Sequence, residues 1–166
     1  GAAIAAVAGS AFVGWGAAFA YFSHHAGETL VPWQTTWLAF TPTFAGKVGV
    51  IADDLSMLLV LVVTGVSLLV HIYSTGYLHG EPGYQRYFAS LNLFTCAMLG
   101  LVLSTSILQI YVFWELVGLC SYLLIGFWFA RTYDDPRKIT PKEAGLKAFL
   151  TTRIGDTIML AGTAAA

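Results

Sequence analysis

The sequence predicts an all-α integral membrane protein with about five transmembrane helices. Hydrophobic residues make up 57% of its 166 residues and charged residues only 10%. A soluble domain of this length could not bury so much apolar surface, whereas bilayer-spanning helices need long uncharged runs. One carboxylic acid, Glu115, lies inside such a run, where an unpaired charge costs several kcal/mol. The chain is therefore expected to bind or conduct ions in the membrane. Its net charge of −1 does not provide the positive potential that binds nucleic acid.

Each helix is drawn from about 20 apolar residues per crossing. The helices are predicted over residues 2–22, 55–72, 87–103, 107–129 and 143–166. The uncharged stretch from Tyr87 to Trp114 is too long for one crossing. Ser104-Thr105-Ser106 divides it, because short polar side chains can satisfy free backbone groups at a turn. Asp53 and Asp54 precede the second of these helices and are interpreted as its N-terminal cap.

The predicted extramembrane loop covers residues 23–51. Its segment from Val31 to Phe40 is rich in residues that favour strands, and prolines and glycines interrupt the loop. This pattern predicts a short β-hairpin on the membrane surface.

The histidines of this loop and the two cysteines do not have the spacing of metal ligands. His24 and His25 are adjacent, so we interpret them as solvated loop residues. Cys96 and Cys120 fall in apolar stretches outside any C-x-x-C pair. We expect them to pack as small side chains and not to form a disulfide, an iron–sulfur ligand set or a zinc site.

The basic residues of the loops predict the orientation. The first loop holds one, Lys47, and the turn between the third and fourth helices holds none. The other side carries Arg86, Arg131, Arg137, Lys138, Lys142 and Lys147. Since Lys and Arg are enriched in cytoplasmic loops, this side is expected to face the cytoplasm or its topological equivalent.

Three ionisable residues are predicted to share one layer of the membrane. At a rise of about 1.5 Å per residue, Glu115 lies about 12 Å into its helix and Arg153 and Asp156 about 15–20 Å into theirs. Arg153 and Asp156 are three residues apart, so they share a helix face and can pair. Such a pair would either fix helix packing or belong to a hydrated proton relay. Glu115 has no partner in its own helix and needs Arg153, a lysine elsewhere, or its own proton.

His71 and Lys147 are further candidates for proton transfer. His71 is placed near the cytoplasmic end of the second helix, at the bilayer surface, where a histidine can take up protons near neutral pH. Histidines are also common at this depth without any such role. Lys147 lies one turn inside the fifth helix, where it could feed a relay or extend to the lipid headgroups.

Four motifs resemble the antiporter-like chain 5 subunits of respiratory complex I and its photosynthetic relatives. They are Val70-His-Ile-Tyr-Ser-Thr-Gly-Tyr77, Gly83-Tyr-Gln-Arg-Tyr-Phe88, Phe113-Trp-Glu-Leu-Val-Gly-Leu-Cys-Ser-Tyr-Leu-Leu-Ile-Gly-Phe127 and Lys147-Ala-Phe-Leu-Thr-Thr-Arg-Ile-Gly-Asp156. The likeness covers about residues 48–160, and the motif around Glu115 is highly specific for the family.

The resemblance implies a piece of a larger bundle with inverted repeats. Both ends of the sequence lie in apolar runs, which also leads us to expect a piece of a longer protein. The five helices would correspond to the family's second to sixth transmembrane helices. Glu115 would then match the fifth-helix glutamate of the proton pathway, with Lys147, Arg153 and Asp156 in the same channel. The family's central lysine would follow on a broken seventh helix.

The function implied by the resemblance is proton translocation by a membrane-arm subunit, driven by remote quinone reduction. No cofactor is expected on this chain; NAD(P)H or ferredoxin, iron–sulfur clusters and quinone would bind other subunits. The expected location is a bacterial inner membrane or a thylakoid or mitochondrial inner membrane. Two alternatives share these charges: the large subunit of a multisubunit cation/proton antiporter, and the proton channel of an inorganic-carbon uptake complex.

Overall fold

The protein consists of five helices and a two-stranded sheet. A computed structural model describes residues 2–39, 45–131, 133 and 138–165. The elements, in chain order, are α1 (Ala2–His24), β1 (Leu30–Ala39), β2 (Ala45–Ala52), α2 (Asp54–Tyr77), α3 (Tyr84–Val102), α4 (Ile107–Ile125) and α5 (Pro141–Ala165). Arg137, Phe40 and residue 166, which the sequence-based predictions include, lie outside the described residues. The helical membrane class predicted from composition is confirmed.

Three helices in the described part of the chain are long and apolar enough to cross a membrane. These are α1, α2 and α4, with 23, 24 and 19 residues. The other two helices carry more polar residues, among them Arg86 in α3 and Arg153 in α5. Both of these helices pack against the apolar α4. Protein contacts within the bundle therefore give their polar side chains partners that lipid could not provide.

The ends of two helices differ most from the sequence-based boundaries, by five and four residues. The second helix continues to Tyr77 instead of ending at residue 72, because Thr75 bonds its hydroxyl back to the Ile72 carbonyl (2.6 Å) and does not interrupt the helix. The fourth helix ends at Ile125 instead of residue 129. Gly126 caps it by donating its N–H to the Tyr122 carbonyl at 2.9 Å. Both changes follow from local hydrogen bonds that hydropathy alone does not report.

Side chains cap the helices where the sequence predicts turns. Asp53 and Ser56 form a reciprocal box, in which Ser56 N–H donates to Asp53 Oδ1 (2.7 Å) and Asp53 N–H donates to Ser56 Oγ (2.8 Å). Ser106 caps α4 by accepting the Gln109 N–H. The predicted cap of α2 and the predicted turn before α4 are thus confirmed.

The two strands form an antiparallel hairpin that rests on the start of α4. Trp33 pairs with Val50 and Thr36 with Lys47. Gln109 clasps the hairpin: its side-chain N–H donates to the Gly49 carbonyl (2.9 Å), and its carbonyl oxygen accepts the Gly49 N–H (3.0 Å). The side-chain amide of Gln109 therefore satisfies both backbone groups of one residue in the exposed sheet edge.

Specific polar and close contacts join neighbouring helices. Trp15 in α1 donates its indole N–H to Thr64 in α2 (3.0 Å). The backbone of Gly100 in α3 faces the ring of Phe113 in α4 so closely that a side chain there would overlap the ring. Small residues at helix contacts and hydrogen bonds between helices are the usual means of packing in lipid.

The residues considered and set aside as metal ligands occupy ordinary positions. His25 interacts through Nδ1 with Glu28 Oε2 at 3.0 Å. Cys120 is buried, Cys96 is exposed, and both are free thiols. Among the described residues, no three His, Cys, Asp or Glu side chains lie close enough together to hold a metal ion.

Gly49→Ala is predicted to loosen the hairpin. An added Cβ would lie 2.6 Å from the Trp33 carbonyl oxygen and 3.0 Å from Thr105 Oγ1. Crowding of this kind costs about 1–3 kcal/mol, so the melting temperature should fall by about 5 °C. Gly16→Ala is the control, because an added Cβ there meets no atom within 4 Å. Equal melting temperatures of the two variants in detergent would contradict the close packing of Gly49 against Trp33 and Thr105.

Candidate functional site

An ion pair joins α4 and α5. Arg153 Nη1 contacts Glu115 Oε2, and the side chains are 45% and 17% exposed, respectively. The second carboxylate oxygen, Glu115 Oε1, is buried and has no hydrogen-bond partner among the described residues. The carboxylate therefore has a counter-charge on one side and a free acceptor on the other, which is the state a proton acceptor requires.

The neighbouring residues of both helices form a second contact. Trp114 donates its indole N–H to Asp156 Oδ1 at 2.8 Å, and Asp156 is only 6% exposed. Of the two partners that the sequence leaves open for Arg153, the structure forms the pair with Glu115 and not the pair with Asp156. Because α4 packs against the same face of α5, Arg153 reaches across to Glu115 and the tryptophan supplies the hydrogen bond to Asp156. The predicted charge layer is thus brought together between helices.

Tyr111 is a member of this site that the sequence reasoning missed. It lies one turn before Glu115 in α4, and its hydroxyl interacts with the Glu115 carboxylate and is close enough to experience the charges of Asp156 and Arg153. The ring of Phe149 lies 4.9 Å from the Arg153 guanidinium on the other side. The four-residue spacing of Tyr111 and Glu115, which places both on one helix face, was the available signal.

A cleft of about 330 Å³ adjoins the buried aspartate. Its walls come from α3, α4 and α5, and they include Trp114, Ser121, Thr152 and Asp156. A cavity holds a water molecule when it offers about one probe sphere of space and polar partners, so this cleft has room for several. The walls are mainly apolar, so hydrogen bonding beside Asp156 is confined to a few side chains such as Ser121 and Thr152.

His71 lies in a separate polar cluster between α2 and α3. Its ring is fully buried, and Nδ1–H donates to the Ser67 carbonyl at 2.8 Å. The hydroxyls of Ser67 and Thr95 are 2.5 Å apart, and the Phe88 ring lies 5.8 Å from the imidazole. Nε2 is buried and without a partner among the described residues. Since a backbone carbonyl only accepts, the ring proton is fixed on Nδ1.

His71 lies farther from the end of its helix than the predicted boundary placed it, and Lys147 lies away from the ion pair. The helix continues six residues past His71, or about 9 Å, and the imidazole is buried between helices. Lys147 is exposed, six residues before Arg153, and its ammonium joins no ion pair within the described ranges. The structure therefore groups Glu115, Arg153 and Asp156 and leaves these two residues apart.

Comparison with known proteins assigns both halves of the chain. Residues 37–88 match the model of the NADH-ubiquinone oxidoreductase (complex I) chain 5 N-terminus, and residues 104–165 match the transmembrane model of NADH:quinone oxidoreductase and Mrp antiporters. The chain belongs to the chain 5 family of complex I. It is therefore an integral membrane protein, as the sequence predicts.

The curated relatives include chloroplastic and cyanobacterial proteins. The chain is 49% identical over 132 residues to NAD(P)H-quinone oxidoreductase subunit 5, chloroplastic, of Nephroselmis olivacea, which covers 80% of the chain and 19% of the relative. It is 53% identical over 116 residues to the Chara vulgaris protein of that name (70% and 16%). The Synechocystis NAD(P)H-quinone oxidoreductase chain 5 is 48% identical over 120 residues (72% and 17%). The chain thus spans about a fifth of these relatives' length.

The Glu115–Arg153 contact predicts energetic coupling between α4 and α5. In a double-mutant cycle of Glu115→Gln and Arg153→Gln, the double variant should be less destabilised than the sum of the single variants, by about 1–3 kcal/mol, because either single change leaves the other group without its partner. Unfolding in detergent measures the three stabilities. Glu28→Gln combined with Arg153→Gln serves as control, since Glu28 lies in the first loop, and additive effects of Glu115 and Arg153 would contradict the contact.

Proposed function

We propose that the chain carries part of the proton path in a membrane-arm subunit of a complex I-type NAD(P)H:quinone oxidoreductase. The observation that carries the proposal is the Glu115–Arg153 pair, formed between the apolar helix α4 and its neighbour α5 with Asp156 beside it. Ionisable residues at such depth are costly and are kept where ions move. The names of the relatives supply the enzyme.

Protonation of Glu115 and its ion pair with Arg153 are alternatives. When the free Oε1 of Glu115 takes up a proton, the carboxyl becomes neutral and its attraction for Arg153 is lost. The guanidinium is half-exposed and therefore free to turn towards Asp156, three residues later on the same helix. The proposed exit for the proton is the cleft beside Asp156, whose mainly apolar wall carries the hydroxyls of Ser121 and Thr152. Each protonation step would thus change which of the two carboxylates is paired with Arg153.

His71 and Lys147 are proposed to serve the same path at other points. His71 presents a buried Nε2 that can accept a proton inside the α2–α3 contact. Lys147 is exposed in the early turns of α5, on the side where basic loops gather, so it can exchange protons with the cytoplasm or its equivalent. Neither residue touches Glu115, so water or residues outside the described ranges would connect them.

The redox chemistry is proposed to lie on partner subunits. Electrons would pass from NAD(P)H or ferredoxin through iron–sulfur clusters to quinone elsewhere in the complex. This chain would act as a translocase module that stores and releases protons when neighbouring membrane-arm subunits change conformation. Its contribution to the enzyme is the positioning of charge in the bilayer.

Glu115→Gln in the intact complex is predicted to block proton flow through this path. An amide keeps the shape of the side chain but cannot carry the proton, and loss of a positioned acid–base group slows transfer about 100-fold. Proton pumping in proteoliposomes should fall to the level that other modules sustain. Glu28→Gln is the matched control, because it makes the same change in an exposed loop carboxylate.

Normal proton pumping by a fully assembled Glu115→Gln complex would rule out the relay. Assembly is checked by native electrophoresis of the complex. A loss of pumping in the Glu28→Gln control as well would show that the assay responds to carboxylate loss in general. The two variants together therefore separate a specific proton path from a change in overall charge.

A cation/proton antiporter is the second candidate, because the transmembrane family model also covers Mrp antiporters. The two functions differ in what drives proton movement. If the first proposal is correct, quinone reduction should generate a proton gradient that is unchanged when sodium replaces potassium in the vesicles. Proton movement that requires a sodium gradient and no electron donor would favour the antiporter.

A further inference from the structure

A cleft of about 160 Å³ opens at the end of the bundle that carries the basic loops. It lies between the starts of α3 and α5 and the end of α4, far along α4 from the Glu115 pair. Its walls include Arg86, Lys142, Tyr122, Leu123, Phe127 and Phe129. The cleft therefore combines two cations with an apolar wall, a combination that neither the ion pair nor the family comparison explains.

Arg86 is held over the aromatic wall of this cleft. Its guanidinium carbon lies 4.9 Å from the Phe129 ring centroid and 5.9 Å from that of Phe127. Among the described residues, neither Arg86 nor Lys142 joins an ion pair, whereas the nearby Arg131 is bound to Glu81 at 3.5 Å. A guanidinium that contacts aromatic rings but no carboxylate can still form an ion pair with an anionic ligand.

The surrounding backbone adds to the positive potential. The first turn of α3 follows Gly83, which has a left-handed φ of 93° and gives no side-chain cap. The Tyr84 N–H donates to the Glu81 carbonyl at 3.3 Å, and no side chain caps the N–H groups that follow it. A helix start without a side-chain cap favours an anion. Glu143, the acidic neighbour of Lys142, is engaged in its own cap, where it accepts the Thr140 N–H at 3.0 Å. The nearest carboxylate on α5 is thus not directed at the cleft cations.

We infer that this cleft binds the phosphate of an anionic phospholipid. The phosphate would lie between Arg86 and Lys142, and an acyl chain would follow the exposed side chains of Leu123 and Phe129. A lipid fits better than a soluble anion because the cations lie directly above an apolar surface on a membrane protein. The inference is independent of the proton path, since it uses no residue of that site.

The test is lipid retention by the purified full-length complex. Native mass spectrometry after delipidation would compare added phosphatidylglycerol with phosphatidylcholine for the unmodified protein and for Arg86→Gln/Lys142→Gln. Loss of two surface cations should weaken phosphatidylglycerol retention about tenfold or more. Lys47→Gln/Lys138→Gln removes the same charge away from the cleft and should retain the lipid as the unmodified protein does.

Three results would overturn the inference. They are unchanged phosphatidylglycerol retention in Arg86→Gln/Lys142→Gln, equal retention of phosphatidylcholine, and displacement of the lipid by inorganic phosphate alone. The last would assign the cleft to a free anion. If the double variant does not assemble, Lys142→Gln alone tests the same site, since Lys142 is an exposed side chain whose removal should still reduce retention several-fold.

Discussion

Polar groups inside these helices depend mainly on partners within the protein, because the hydrocarbon of a bilayer offers no water to bind them. The helix contacts show the consequence. Thr64 accepts the Trp15 indole N–H, Asp156 accepts that of Trp114, and Glu115 meets Arg153. Each of these contacts joins two helices. In an apolar medium, such bonds determine which helices lie side by side, since apolar side chains pack nearly as well against lipid.

The same constraint explains the attachment of the hairpin. An exposed strand leaves N–H and C=O groups unpaired, and at a membrane surface these groups need fixed partners. Gln109 supplies both bonds to Gly49 from the first turn of α4, and the Ser106 hydroxyl donates to the Lys47 carbonyl at 2.6 Å. The hairpin is thereby tied to the helix that carries Glu115.

Hydropathy is sufficient to predict the class of fold. The positions of the charged residues are sufficient to predict that Glu115, Arg153 and Asp156 lie in one layer. Asp53 was found as a cap, and the serine-rich turn before α4 was found, because both rest on local chemistry. The end of α4 at Ile125 and the extension of α2 to Tyr77 are not predicted, because single hydrogen bonds decide whether one more helical turn forms. The Arg153 partner was left open, because spacing within one helix contains no information about its neighbour.

The choice between partners for Arg153 has a physical consequence for the mechanism. A pair within α5 would leave the packing of α4 unchanged when its charge state changes. The pair actually formed crosses from α5 to α4, beside the Trp114–Asp156 bond. Protonation of Glu115 therefore removes a bond between helices as well as a charge. Conversely, a small shift of α5 against α4 would change the distance between Arg153 and Glu115. An ion pair between helices is thus a means of coupling conformation to protonation, which a pair on one helix could not provide.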